Sequence, residues 1–80
     1  PGFEVLGGLL DACMKAAFRQ DSRHHRKIAD LIPPHYLQLP EGSSDYERII
    51  HITDYVTSLT DQAALGLYRK IKGIELPRMY

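Results

Sequence analysis

Apolar residues recur every three or four positions near the start of the chain, which is the spacing of an amphipathic helix. The repeating positions are Leu6, Leu9, Leu10, Cys13, Met14 and Ala17. This pattern predicts a helix over residues 3–19. Gly7 and Gly8 interrupt it, and each costs roughly 1 kcal/mol of helix propensity. We therefore expect another backbone to approach the helix closely at these glycines.

A second, shorter helix is predicted over residues 22–32. Asp21 or Ser22 is suited to cap its start, because a short polar side chain can accept from an unpaired backbone amide. Pro33 and Pro34 should end it, since proline lacks an amide donor and clashes with the preceding turn. A loop over residues 33–43 is expected to follow.

The longest helical pattern covers residues 45–72 and begins at a capping box formed by Ser44 and Glu47. Its apolar stripe comprises Ile49, Ile52, Val56, Leu59, Ala63, Leu67 and Ile71. Ser58 and Asp61 have the spacing of a second capping box, which favours a kink at 57–60 over one straight rod. Gly73 suits the left-handed position that closes a helix, and Pro77 should prevent its resumption.

These patterns predict an all-α fold of three to four helices. Residues 1–80 would form a single helical segment, and a chain that opens on Pro1-Gly2 and at once enters a helical pattern suggests a fragment of a larger chain. Hydrophobic residues make up 44% and charged residues 25%, which is ordinary for a globular domain and argues against a disordered tail.

The charge balance and the cysteine content limit the classes of binding partner and the cellular compartment that we expect. Ten basic residues balance ten acidic ones, so no long-range field attracts nucleic acid or an anionic membrane. Cys13 is the single cysteine and is expected in the core, which favours a reducing, cytoplasmic location. No apolar run reaches the ~20 residues that span a bilayer, so no membrane partner is expected.

Two groups of residues could carry chemistry. His51 and Asp54 share a helical face, but Asp61 would lie ~10 Å further along a straight helix, so these residues cannot complete a metal site. The segment Arg19 to Lys27 holds four cations and two histidines. It could contact nucleic-acid phosphates, although a solvated helix face is the stronger interpretation because acidic residues dilute the charge and no aromatic residues interleave. The sequence contains no catalytic residues of its own.

The stretch "HITDYVTSLTDQAALGLYRK", from His51 to Lys70, resembles a motif of deoxynucleoside triphosphate triphosphohydrolases of the HD superfamily. In that family the run commonly reads Asp-Tyr-Ile-Ser/Ala-Gly-Met-Thr-Asp, followed by a variable residue, an aromatic residue and Ala. The segments "FEVLGGLLDA" and "LIPPHY" also resemble the family's C-terminal helices, so the resemblance spans nearly the whole chain. Ser58-Leu59 replaces Gly-Met, and Ala63 replaces the aromatic residue.

The resemblance implies a parent enzyme that hydrolyses a dNTP to deoxynucleoside and triphosphate with a divalent metal, Mg or Mn. The superfamily's metal-binding His-Asp pair is absent from these residues, so the fragment would hold no cofactor and contribute scaffold. Its implied partners are the dNTP substrate, the catalytic HD domain of the same chain and further copies in a homo-oligomer. Asp54, Tyr55, Thr60 and Asp61 are the candidates for a substrate-side or structural role. The alternative is a non-catalytic helical interaction or oligomerisation module.

Overall fold

The computed structural model describes residues 2–19 and 22–76. Five α-helices follow in chain order, and no strand occurs in these two ranges, which confirms the all-α prediction. The helices are α1 (Gly2–Phe18), α2 (Arg23–Leu31), α3 (Pro34–Leu37), α4 (Asp45–Ser58) and α5 (Asp61–Glu75). The helix α1 lies at the centre, because it packs on α2, α4 and α5, while α3 packs on α4.

The core forms around the apolar face of α1. Leu9, Cys13 and Ala17 are buried as predicted, and Leu6, Leu10 and Met14 are partly buried against them. Ala12 and Ala16 are also buried, so the face is wider than the predicted stripe. A central helix needs this width because it meets three neighbours, and alanines allow those neighbours to approach.

The two glycines of α1 differ in their surroundings. A Cβ on Gly8 would lie 2.7 Å from the Cε1 atom of Tyr68 on α5, whereas a Cβ on Gly7 would meet nothing within 4 Å. The sequence pattern predicted that another backbone approaches these glycines. The close neighbour of Gly8 is instead an aromatic side chain. Only Gly8 is needed for this contact between α1 and α5.

Ser22 occupies the N-cap position before α2, but its side chain caps no backbone amide and instead forms a hydrogen bond with Nδ1 of His24 at 3.0 Å. Asp21, the other predicted cap, lies outside the described residues. The predicted loop over 33–43 is partly wrong, because α3 forms within it. Pro34 occupies the first turn of α3, where the missing amide hydrogen costs nothing. This extra short helix raises the number of helices to five.

The helical pattern of residues 45–72 forms two helices that meet at Leu59 and Thr60. The capping box at Ser44 and Glu47 is confirmed at the start of α4. The predicted second capping box is wrong in its residues, because Thr60 and not Ser58 caps α5. Gly73 does not end α5, which continues to Glu75, and Pro77 lies outside the described residues.

The break changes which residues of the predicted stripe are buried. Ile52, Val56, Leu67 and Ile71 lie in the core, and Leu59 packs against it. Ile49 and Ala63 are exposed, contrary to the prediction. The two residues between the helices restart the helical register, so a stripe drawn on one continuous rod misplaces Ala63. None of the helices in the described ranges is long and apolar enough to cross a membrane.

Candidate functional site

The four candidate residues lie at the junction between α4 and α5, but they do not face one common space. Asp54 is exposed on the last turns of α4, and Tyr55 beside it is buried. Thr60 and Asp61 are exposed at the start of α5. The junction therefore does not gather the four side chains into one reactive cluster.

Tyr55 belongs to the core. It is only 8% exposed, and its ring lies 4.9 Å from the ring of Tyr36, centroid to centroid, at an interplanar angle of 45°. Burial raises the pKa of Tyr55, and the neighbouring Cys13 and Tyr36 raise it further. A phenol held in its neutral form against a second ring packs α3 on α4 and supplies no base.

The hydroxyl groups at the junction are used within the helices. Thr57 donates to the carbonyl oxygen of Thr53 at 2.8 Å, and Ser58 donates to that of Tyr55 at 2.7 Å. Thr60 accepts from the backbone amide of Ala63 at 3.1 Å and so caps α5. These bonds explain why α4 ends at Ser58 and α5 begins at Asp61.

An apolar cavity of about 430 Å³ opens beside this junction, between α1, α4 and α5. The residues that line it are Val5, Leu6, Val56, Thr57, Leu59, Asp61, Ala64 and Leu65. Asp61 supplies the only carboxylate of this lining. Such walls suit an apolar side chain or ring from another part of a protein, and beside Asp61 they offer only the hydroxyl group of Thr57 and no second titratable side chain for acid–base chemistry.

The described residues do not fit a divalent metal. His51 is half-buried and Asp54 is exposed, and no group of three histidine, cysteine or carboxylate side chains converges in residues 2–19 and 22–76. No polar or charged side chain in these ranges is buried, so no carboxylate is desolvated in the way that tunes a catalytic acid.

Two features of the junction were missed by the sequence patterns. Val5 lies outside the predicted stripe of α1, yet it lines the cavity. Tyr36 was placed in a loop, yet its ring supports Tyr55. The run Pro34-His35-Tyr36-Leu37 carried a signal for α3, because proline is favoured in the first turn of a helix.

One relative among curated proteins matches nearly the whole chain. It is a deoxyguanosinetriphosphate triphosphohydrolase-like protein from a Synechocystis species, 33% identical over 75 residues. The match covers 94% of this chain, and the chain spans about one sixth, 17%, of the relative's length. No protein-family profile matches the chain, and no solved structure matches it significantly. The similarity supports the resemblance to triphosphohydrolases over the residues that form α1 to α5.

Proposed function

We propose that the chain is the C-terminal helical part of a longer deoxynucleoside triphosphate triphosphohydrolase of the HD superfamily. The longer protein would hydrolyse a dNTP to a deoxynucleoside and triphosphate. The observation that carries the proposal is the 33% identity, over 94% of the chain, to a deoxyguanosinetriphosphate triphosphohydrolase-like protein. Cys13 is a free, buried thiol, and proteins of the reducing cytoplasm keep their cysteines in this form. We therefore place the longer protein in the cytoplasm.

In this proposal the chain supplies scaffold, and the reaction takes place elsewhere in the longer protein. No His-Asp pair occurs in the sequence, and the described residues bring together no three metal ligands. The divalent metal, Mg or Mn, would therefore be held by residues of the catalytic HD domain.

The cavity beside the α4–α5 junction is where we expect the catalytic domain to pack. Its walls are apolar, and Leu65, which is 40% exposed, lies at its edge. Asp61 also lines it and could meet a cation or an amide of the covering domain. Asp54 would remain a solvent-side residue, while Tyr55 and Thr60 would hold the junction in shape.

The proposal predicts that the longer protein binds a divalent metal and that this chain alone does not. Purified longer protein, loaded with Mn²⁺ and desalted, should retain the metal and hydrolyse dGTP. Replacing the aspartate of its His-Asp pair with alanine should remove both properties, because a carboxylate ligand is lost. Replacing exposed Asp54 with alanine is the matched control and should leave the bound metal unchanged.

Two results would overturn this assignment. One is a longer protein without a histidine, a His-Asp pair and a later aspartate. The other is retention of Mn²⁺ by the 80-residue chain itself, because that would place ligands among residues that do not converge. The first result would favour the non-catalytic interaction module.

A further inference from the structure

The exposed side of α2 carries a cluster of positively charged side chains. Arg23, Arg26 and Lys27 are all exposed and line one shallow depression, which Asp30 also lines. The opposite side of α2 is committed to the core through Ile28 and Ala29. Burying the apolar side therefore necessarily turns the cations outwards together.

Folding adds a cation from another helix to this surface. Lys70 of α5 and Lys27 of α2 line the same depression, about 370 Å³ in volume, with Leu31, Gly73, Ile74 and Leu76. No carboxylate is among these lining residues. We name Arg23, Arg26, Lys27 and Lys70 the basic strip. The sequence alone did not join Lys70 to the cluster, because 42 residues separate it from Lys27.

The cations of the basic strip form no ion pair within the described part of the chain. Two ion pairs occur there, Lys15 with Asp11 at 3.1 Å and Lys72 with Glu75 at 3.8 Å, and neither uses the strip. Asp30 is the nearest carboxylate by position on α2, yet it pairs with none of them. In a chain of zero formal charge, four cations that pair with no carboxylate of residues 2–19 and 22–76 are a local separation of charge.

We propose that the basic strip binds the phosphate backbone of a nucleic-acid strand. Arginine and lysine neutralise phosphates without reading bases, and the planar guanidinium group of arginine can bond to two phosphate oxygens at once. No aromatic side chain of the described residues lines either depression, so this part of the chain gives the strip no platform for stacking bases. Binding should therefore depend on charge and not on base sequence.

The fold favours nucleic acid over a membrane as the partner. A helix that binds an anionic membrane inserts its apolar face between the lipids. Ile28 and Ala29 cannot serve in this way, since they are 1% and 7% exposed, and Leu76 is the one residue of the second depression among the large exposed apolar side chains. The phosphates of a flexible strand can instead follow the strip across α2 and α5 without any apolar insertion.

The test measures how the binding of this chain to a fluorescein-labelled oligothymidylate of about 30 nucleotides depends on salt concentration. Fluorescence anisotropy detects the binding. Four phosphate contacts on a single strand predict a slope of about −2.8 for log K against log salt. The affinity should then fall roughly 50-fold between about 50 and 200 mM salt. An absence of binding, or a slope near zero, would overturn the proposal.

Charge-neutral variants locate the contacts. Lys27→Gln and Lys70→Gln should each weaken binding about 5-fold at 0.1 M salt and each reduce the slope by about 0.7. Lys15→Gln removes the same charge from a lysine that is paired with Asp11, and it should leave both quantities unchanged. All three side chains are exposed on separate helices, and helicity by circular dichroism verifies that each variant is folded.

The competing partners give different results. If Lys15→Gln weakens binding as much as the two strip variants, binding reflects overall charge and the strip is not a site. If polyglutamate displaces the oligonucleotide at equal charge concentration, the strip binds acidic protein segments instead. Binding to phosphatidylserine vesicles without binding to the oligonucleotide would likewise overturn the proposal.

Discussion

Cys13 lies at the centre of the core, on the face of α1, and it is fully buried. Burial raises the pKa of its thiol from 9.0 to about 11, because a thiolate would lose its hydration there. A thiol held neutral in this way is a poor nucleophile and a poor metal ligand. Cys13 is therefore a packing residue, as its place in the apolar stripe of the sequence indicates.

The pKa of Cys13 predicts how stability changes at alkaline pH. Between pH 9 and 11 the unfolded thiol loses its proton while the folded thiol keeps it, so the unfolded state binds fewer protons and stability falls as pH rises. The two-unit shift corresponds to a loss on the order of 2 to 3 kcal/mol. Burial of Tyr55 adds a loss of the same sign at higher pH.

Urea unfolding of the wild-type chain and of Cys13→Ala at pH 8, 9, 10 and 11 measures this loss. The variant starts from lower stability, because it leaves a small cavity, but its stability should fall less over this range. Parallel curves for the two proteins would show that the thiol of Cys13 does not cause the loss.

At the scale of helices, the start of α5 depends on one hydroxyl group. Thr60 accepts from the amide of Ala63, so Thr60→Ala should lower the free energy of unfolding by about 1 kcal/mol. Thr60→Ser keeps the acceptor and should stay near the wild-type value. Asp61→Ala should cost about 0.5 kcal/mol, since an exposed carboxylate in the first turn interacts only with the helix dipole.

Urea unfolding followed by circular dichroism compares these three variants. Equal stability of Thr60→Ala and the wild type would remove the capping role and return Thr60 to the candidates for contact with substrate.

The helices themselves could be predicted closely where a local signal exists. Ser44 and Glu47 mark the start of α4 because both partners of the capping box are close in sequence. The prediction that Gly73 ends the last helix was wrong, because a glycine can remain inside a helix when the backbone hydrogen bonds continue past it. The helix α5 continues to Glu75. Burial of Tyr55 was not predictable, since it depends on the ring of Tyr36 from a separate element.

The cavity at the junction and the basic strip depend on contacts between distant segments. Val5 and Leu65 both line the cavity although 59 residues separate them, and Lys27 and Lys70 line the second depression in a similar way. Periodicity describes one helix at a time and therefore cannot show these pairings. The sequence could nevertheless indicate that Thr60 and Asp61 lie at a break in the helical pattern.

At the scale of the whole molecule, the chain leaves large apolar side chains in solvent. Tyr46, Ile49 and Ile50 are 70%, 42% and 40% exposed on α4, and their spacing places them on one side of that helix. Leu65 of α5 is also exposed, and it lines the cavity beside the α4–α5 junction. Exposed apolar patches of this kind mark contact surfaces, which agrees with our proposal that the chain packs against a catalytic domain.

The proposal that this chain is scaffold in a triphosphohydrolase is tested most directly by the products that the longer protein forms from dGTP. Anion-exchange chromatography separates triphosphate from diphosphate and monophosphate, and the nucleoside is resolved in the same experiment. We predict deoxyguanosine and triphosphate in equal amounts from the longer protein, and no product from the 80-residue chain at the same concentration. Release of single phosphate or diphosphate by the longer protein, or triphosphate release by the 80-residue chain alone, would contradict the account.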